Sequence, residues 1–113
     1  RPFAEPSLIE EVIEEAFQHG AALAALPVGD TVKKAGDSRL VEATIPRDTL
    51  WLAQTPQAFR YWVLREAFER ARADSFVATD EALLAERIGV GVKLVAGSPY
   101  NIKITTREDL VLG

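Results

Sequence analysis

Leu50-Trp51-Leu52-Ala53-Gln54-Thr55-Pro56-Gln57 begins as an apolar run and ends in three side chains that can hydrogen-bond, Gln54, Thr55 and Gln57. Pro56 fixes its own φ and suits the first turn of a helix, and Thr55 before it carries the hydroxyl of an N-cap. The stretch therefore predicts a strand running into a helix, with Thr55 at the junction and the helix over 56–73. In open α/β sheets, ligands bind at the carboxyl ends of strands, where helix N-termini point unpaired N–H groups at anions. The stretch thus reads as the floor of a pocket.

Downstream of it, Phe59, Trp62, Val63, Ala67, Phe68 and Ala71 recur at helical spacing and are expected to face the core. Thr79 reads as the cap of a third helix with Asp80 and Glu81 in its first turn, ended by Gly89. Residues 90–96 read as a short buried strand, 101–104 as another, and Thr105-Thr106-Arg107-Glu108 as the cap of a last helix. Upstream, Ser7-Leu8-Ile9-Glu10 has the form of a capping box for a helix ending near Gly20, with Ile9, Val12, Ile13, Ala16 and Phe17 on its apolar face. The glutamates of its other face read as solvated. Residues 21–28 are short, continuous and apolar, as a buried parallel strand would be. Asp30 to Lys34 is polar, Ala35-Gly36-Asp37-Ser38 is a turn signal, and residues 40–45 mix β-branched and polar side chains. This predicts a β-hairpin over 27–46, within an arm over 27–48. The arm has too little apolar material for a core of its own and must lean on something else, such as a second subunit. Strands alternating with helices predict an α/β layered fold with a mostly parallel sheet. The apolar faces of the first two helices need more sheet than these strands supply.

Composition narrows the chemistry. The 113 residues carry a net charge of −4, which argues against binding nucleic acid through bulk charge. There is no cysteine and a single histidine, His19, so thiolate and polyhistidine metal sites are excluded. A metal would be a hard cation such as Mg²⁺, held by carboxylates and phosphates. No apolar run reaches membrane-spanning length and no secretory signal is found, so the expected location is cytoplasmic. A chain without methionine that opens on Arg1-Pro2-Phe3 reads as a piece of a longer protein.

Several polar groups fall at predicted element ends: Arg1, Thr31, Arg47, Thr55, Thr79, Asp80 and Lys103. Cations, hydroxyls and helix N-termini together suit phosphate binding. Each has a plainer reading beside it: Thr55, Thr79 and Thr105 as caps, Arg47 and Lys33 as exposed hairpin cations. Lys103 interrupts Ile102 and Ile104 in a short strand and falls on the opposite face from both, where it could simply reach solvent. No Gly-x-Ser-x-Gly elbow and no cysteine nucleophile is present, which disfavours covalent hydrolysis. Cations around an anionic substrate suit phosphoryl or nucleotidyl transfer, a reaction driven by positioning and charge stabilisation.

Taken together, Arg1-Pro2-Phe3, Asp30-Thr31-Val32-Lys33, Trp51-Leu52-Ala53-Gln54-Thr55-Pro56-Gln57-Ala58-Phe59, Ala78-Thr79-Asp80-Glu81-Ala82 and the segment from Asn101 through Lys103 to Leu110 resemble the 2-C-methyl-D-erythritol 4-phosphate cytidylyltransferases of the non-mevalonate isoprenoid pathway. The resemblance implies a Rossmann-like nucleotidyltransferase fold with an inserted β-hairpin dimerisation arm. It implies transfer of CMP from CTP to methylerythritol phosphate with release of pyrophosphate, in the presence of Mg²⁺, by a homodimer that exchanges arms. Arg1 and Lys103 look like the family's catalytic cations, Lys103 also binding substrate. Thr31 and Arg47 look like arm residues that hold methylerythritol phosphate in the partner's site, and Thr55 and Thr79 like pocket hydroxyls for the same substrate. The family's Gly-rich CTP loop and metal-binding Asp have no counterpart in these residues. The chain is therefore expected to be the C-terminal portion of a single cytidylyltransferase domain, inactive alone. Two other readings stand beside this one: a related ribitol 5-phosphate cytidylyltransferase, and a non-catalytic α/β dimerisation module.

Overall fold

Four of the seven residues in strand β1 (Ala21–Pro27) are alanines with almost no solvent exposure, Ala21, Ala22, Ala24 and Ala25. Alanine is a poor strand former, and what holds these residues extended is burial on both sides of the sheet. The computed structural model describes residues 6–98. Within them, β1 is the centre of a three-stranded sheet in the order β4-β1-β5, with β4 at Trp51–Phe59 and β5 at Val92–Ala96. Helix α1 (Pro6–His19) covers one face, where Leu8, Val12 and Ala16 meet Ala22, Ala24 and Val95. Helices α2 (Tyr61–Ala73) and α3 (Glu81–Arg87) lie on the other. There Val63 and Ala85 meet Ala21, and Ala82 meets Leu23 and Ala25. The result is three layers with small side chains at the middle.

Gly20 alone separates α1 from β1. Its φ of +104° belongs to the region glycine favours, and its amide donates to Ala16 O at 2.8 Å, closing the helix end. A Cβ there would also press on Val90 Cγ1 at 3.2 Å. The chain thus turns sharply and brings β1 directly under α1.

The expected hairpin is present. Strands β2 (Val32–Ala35) and β3 (Val41–Ile45) pair antiparallel in a sheet of their own, and Lys33 Nζ donates to Thr44 Oγ1 across them at 2.8 Å. The Val28 amide donates to Leu50 O at 3.1 Å, and Arg47 Nη1 to Gly29 O, so the arm leaves and returns at one end of the main sheet. This closure explains a departure from the expected sheet. A parallel neighbour needs a crossover connection, and the arm supplies a simple reversal. Strand β4 therefore runs antiparallel to β1, while β5, reached through two helices, runs parallel. Among the described residues the sheet is mixed rather than mostly parallel.

The helix expected from Pro56 does not start there. Gln57, Ala58 and Phe59 stay in the ladder opposite Leu23, Ala22 and Ala21, and α2 begins at Tyr61. The register shifts between Leu23 and Ala25, so Gln54, Thr55 and Pro56 together oppose Ala24 in a bulge of an edge strand, a place that tolerates proline. The Thr55–Pro56 bond is cis. Thr55 is therefore a strand residue and not a helix cap. Arg60 holds the cap position without a side-chain cap bond; its Nε donates instead to Phe17 O at 2.8 Å, tying the start of α2 to the end of α1.

Three smaller expectations also change. Helix α1 already contains Pro6 and Ser7, so Ser7 lies inside it rather than capping it. The cap of α3 is Asp80, whose Oδ1 accepts from the Leu83 amide at 2.9 Å, and not Thr79. The buried stripe of α2 is only Val63, Ala67 and Ala71, leaving Trp62 53% exposed and Phe68 on the surface. Ile13 and Phe17 of α1 are likewise 55% and 64% exposed. The expected roles of Arg1 and Lys103, the strand over 101–104 and the helix capped by Thr105 lie outside the described residues.

Candidate functional site

Strands β1 and β5 run parallel, so their carboxyl ends lie side by side, with Ala25 opposite Ala96. The β4 bulge sits at the same level, since Ala25 is also opposite Ala53. Gln54 reaches from this bulge to the far edge of the sheet, where its Nε2 donates to Ser98 O at 3.4 Å. The Gly97 amide donates to Ala25 O at 2.9 Å and so continues the β5 pairing for one more residue. At the bulge, Gln54 Oε1 and Gln57 Oε1 are both buried acceptors with no protein donor. Such atoms are costly to leave unmet, and they mark the bulge as a place where a water or ligand hydrogen can be received. Thr55 stands between them, half-buried.

Thr79 occupies a different place. It lines an open depression of about 410 Å³ between α2 and α3 with Phe68, Arg72, Phe76, Asp80 and Leu84. The preceding turn is pinned. Arg87 Nη2 bonds Asp74 Oδ2 at 2.9 Å, and the same guanidinium lies 3.9 Å above the Phe76 ring, a cation–π contact. The turn thereby delivers Thr79 to the surface and Asp80 to the head of α3. A second depression, of about 340 Å³, opens on the other side of Asp80 against the sheet and is lined by Leu23, Ala25, Trp51, Ala53 and Leu94 among others. Among the described residues, Asp80 alone is shared by the two linings.

Thr31 and Arg47 belong to the arm, and both are exposed. The expected site residues therefore fall into three places, the arm, the β4 bulge and the α2–α3 depression, and neither depression is lined by Thr31, Arg47 or Thr55. Among the described residues no group of three His, Cys, Asp or Glu side chains could hold a metal ion. Nor is any described helix long and apolar enough to cross a membrane. Among the described residues, the groups at these places are hydroxyls, carboxamides, the Asp80 carboxylate and exposed cations, which can hydrogen-bond or pair with an oxygen-rich anion. The approach of Gln54 to Gly97 had one faint signal in the sequence, a glycine directly after an apolar strand.

A family model described as IspD, 2-C-methyl-D-erythritol 4-phosphate cytidylyltransferase, matches residues 1–113. The chain belongs to this family. It is 51% identical over 112 residues to the 2-C-methyl-D-erythritol 4-phosphate cytidylyltransferase of Pelotomaculum thermopropionicum, covering 99% of the chain and 47% of that relative. The corresponding protein of Syntrophus aciditrophicus is 46% identical over 112 residues, with 99% of the chain and 48% of the relative covered. The crystal structure of the family member from Thermus thermophilus matches with a TM-score of 0.81 at 40% identity, over 99% of the chain and 55% of that structure. The mixed α/β fold is thus that of solved family members. The chain spans about half the length of the curated relatives it matches. The match covers about half of those relatives, and the expected assignment to the C-terminal half and the expected lack of the CTP-binding half do not stand against it.

Proposed function

We propose that this chain forms part of a cytidylyltransferase that joins CTP and 2-C-methyl-D-erythritol 4-phosphate into 4-diphosphocytidyl-2-C-methyl-D-erythritol and pyrophosphate, a step of non-mevalonate isoprenoid synthesis. The observation that carries the reading is the family match over all 113 residues. In the reaction, a phosphate oxygen of methylerythritol phosphate attacks the α-phosphorus of CTP and pyrophosphate leaves. The enzyme's part is to hold two anions in line and to meet the charge that grows between them. Thr31, Arg47, Thr55 and Thr79 are proposed to bind methylerythritol phosphate, and Arg1 and Lys103 to stabilise charge at the reacting phosphorus.

The separation of the arm from the bulge supports a homodimer as the working form. Strands β2 and β3 bond to each other, and the arm exposes Leu40 in its turn and Val41 at the start of β3, so a partner's arm can bring Thr31 and Arg47 to Thr55. Mg²⁺ is proposed to arrive with the CTP phosphates, and no ligand to it is assigned among the described residues. The proposed location is the cytoplasm.

The test is pyrophosphate release by the native protein that carries these residues, with CTP and methylerythritol phosphate. Release is expected, with ribitol 5-phosphate a far poorer acceptor; preference for ribitol 5-phosphate, or no release, overturns the assignment. Lys103→Ala should raise the barrier by about 2.7–4 kcal/mol, since it removes one preorganised charge contact. Unchanged turnover would favour the dimerisation module. The 113-residue chain alone is expected to be inactive, because the apolar sides of α1 and α2 stand open to water; turnover by it would overturn that part of the proposal.

A further inference from the structure

Gly97 looks like an ordinary loop glycine until its surroundings are considered. Its φ lies outside the left-handed region, so its backbone is one that other residues adopt. Space is the constraint instead. A Cβ at position 97 would overlap Gln54 Oε1, while its next neighbours, Ala25 O and Ala25 N, would lie at 3.4 and 3.5 Å, ordinary contact distances. The missing side chain therefore makes room for one group, the Gln54 carboxamide, whose Nε2 bonds Ser98 O. Gln54 stands on one edge strand and Ser98 just beyond the other, with β1 between them.

We infer that Gln54 is a positioning residue for the proposed CMP transfer, acting as a clamp seated on Gly97 that fixes the segment leaving β5 relative to the β4 bulge. The inference rests on the functional reading above, because it assigns the clamp to that reaction. Thr55 is the next residue after Gln54, and Lys103 lies five residues beyond Ser98. The clamp thus joins the neighbour of a proposed substrate hydroxyl to Ser98, the last described residue before a proposed catalytic cation in the sequence. The role inferred for Gln54 is one of positioning, through its Nε2 bond to Ser98 O. A loss of registration of this kind acts on the rate of the chemical step, where small misplacements are costly.

Two substitutions that break the same contact should not add. In the native protein, Gly97→Ala drives the Gln54 carboxamide off Ser98, and Gln54→Ala removes it. Each should lower kcat about tenfold with KM for CTP unchanged, since a misplaced group costs rate rather than nucleotide binding. In the Gln54→Ala background, Gly97→Ala should have no further effect, because the obstructing oxygen has gone. Amide hydrogen exchange at Gly97 and Ser98 is to be followed in the same four proteins and should show the same coupling. Additive losses, or a kcat unaffected by Gly97→Ala, would overturn the inference. So would coupling in exchange without coupling in kcat, which would leave the clamp purely structural. Absence of CMP transfer by the unsubstituted protein would instead overturn the functional reading, and with it the clamp's assignment to that reaction, while exchange would still report whether the contact itself exists.

Discussion

Thr79 and Asp80 are neighbours with similar capping chemistry, and the fold gives them different tasks. Asp80 caps α3 through the Leu83 amide, so its carboxylate meets a donor that would otherwise be unpaired at the head of the helix. Asp80→Ala should therefore cost about 1 kcal/mol, read as a lower midpoint in urea unfolding. Thr79 has no part in that cap and stands at the surface, so Thr79→Ala should leave the midpoint nearly unchanged while weakening binding of the acceptor substrate. A similar contrast holds on α2. Val63 is fully buried and its neighbour Trp62 is half exposed. Val63→Ala is expected to cost about 2 kcal/mol through lost burial and the cavity left behind. Trp62→Ala, though it deletes far more atoms, should cost less in the same unfolding measurement.

At the level of elements, the arm and β4 mark how far the sequence can be read. The hairpin was legible because Ala35-Gly36-Asp37-Ser38 is a local turn signal between two polar, β-branched runs, and all of that information is close in sequence. Helix α1 was legible from its periodicity and α3 from its cap, acidic first turn and closing glycine, to within two residues at their starts. The bulge in β4 was not. Thr55-Pro56 is as good a local signal for a helix start as for a bulge, and the choice was made by pairing with β1 over 30 residues away. The same holds for Trp62 and Phe68, whose spacing says amphipathic helix but cannot say how wide a stripe the neighbouring layer covers. Of the site, Thr79 was read as a polar residue at an element end and stands just before α3, whereas Thr55, read the same way, lies inside β4, and the seating of Gln54 on Gly97 depends on three strands lying side by side. Because β2 and β3 bond chiefly to each other, replacing residues 31–46 by a short turn should leave the β4-β1-β5 sheet folded. Circular dichroism should be little altered, while sedimentation velocity should show the proposed dimer reduced to a monomer; a lost fold would contradict the arm's independence.

For the molecule as a whole, several large apolar side chains of the described residues stand exposed on the helices and on β4. Ile13 and Phe17 of α1, Trp51 and Leu52 of β4, and Trp62 and Phe68 of α2 are all exposed. The 113-residue chain alone should bind a hydrophobic dye such as ANS and associate with rising concentration, and the proposed longer enzyme that carries these residues should do neither. Equal dye binding by both would mean that these faces are never covered. The centre of the sheet has the opposite character. Ala21, Ala22, Ala24 and Ala25 carry only a methyl group each, so these four positions have little left to lose. Inherited variation at these positions can move almost only towards larger residues, and each such step presses on the helix layer that the residue faces, α1 for Ala22 and Ala24, α2 and α3 for Ala21 and Ala25. Drift in this lineage is accordingly channelled outward, to the helix surfaces and the arm. A drug-resistance or adaptation screen should recover changes there long before it recovers one in β1.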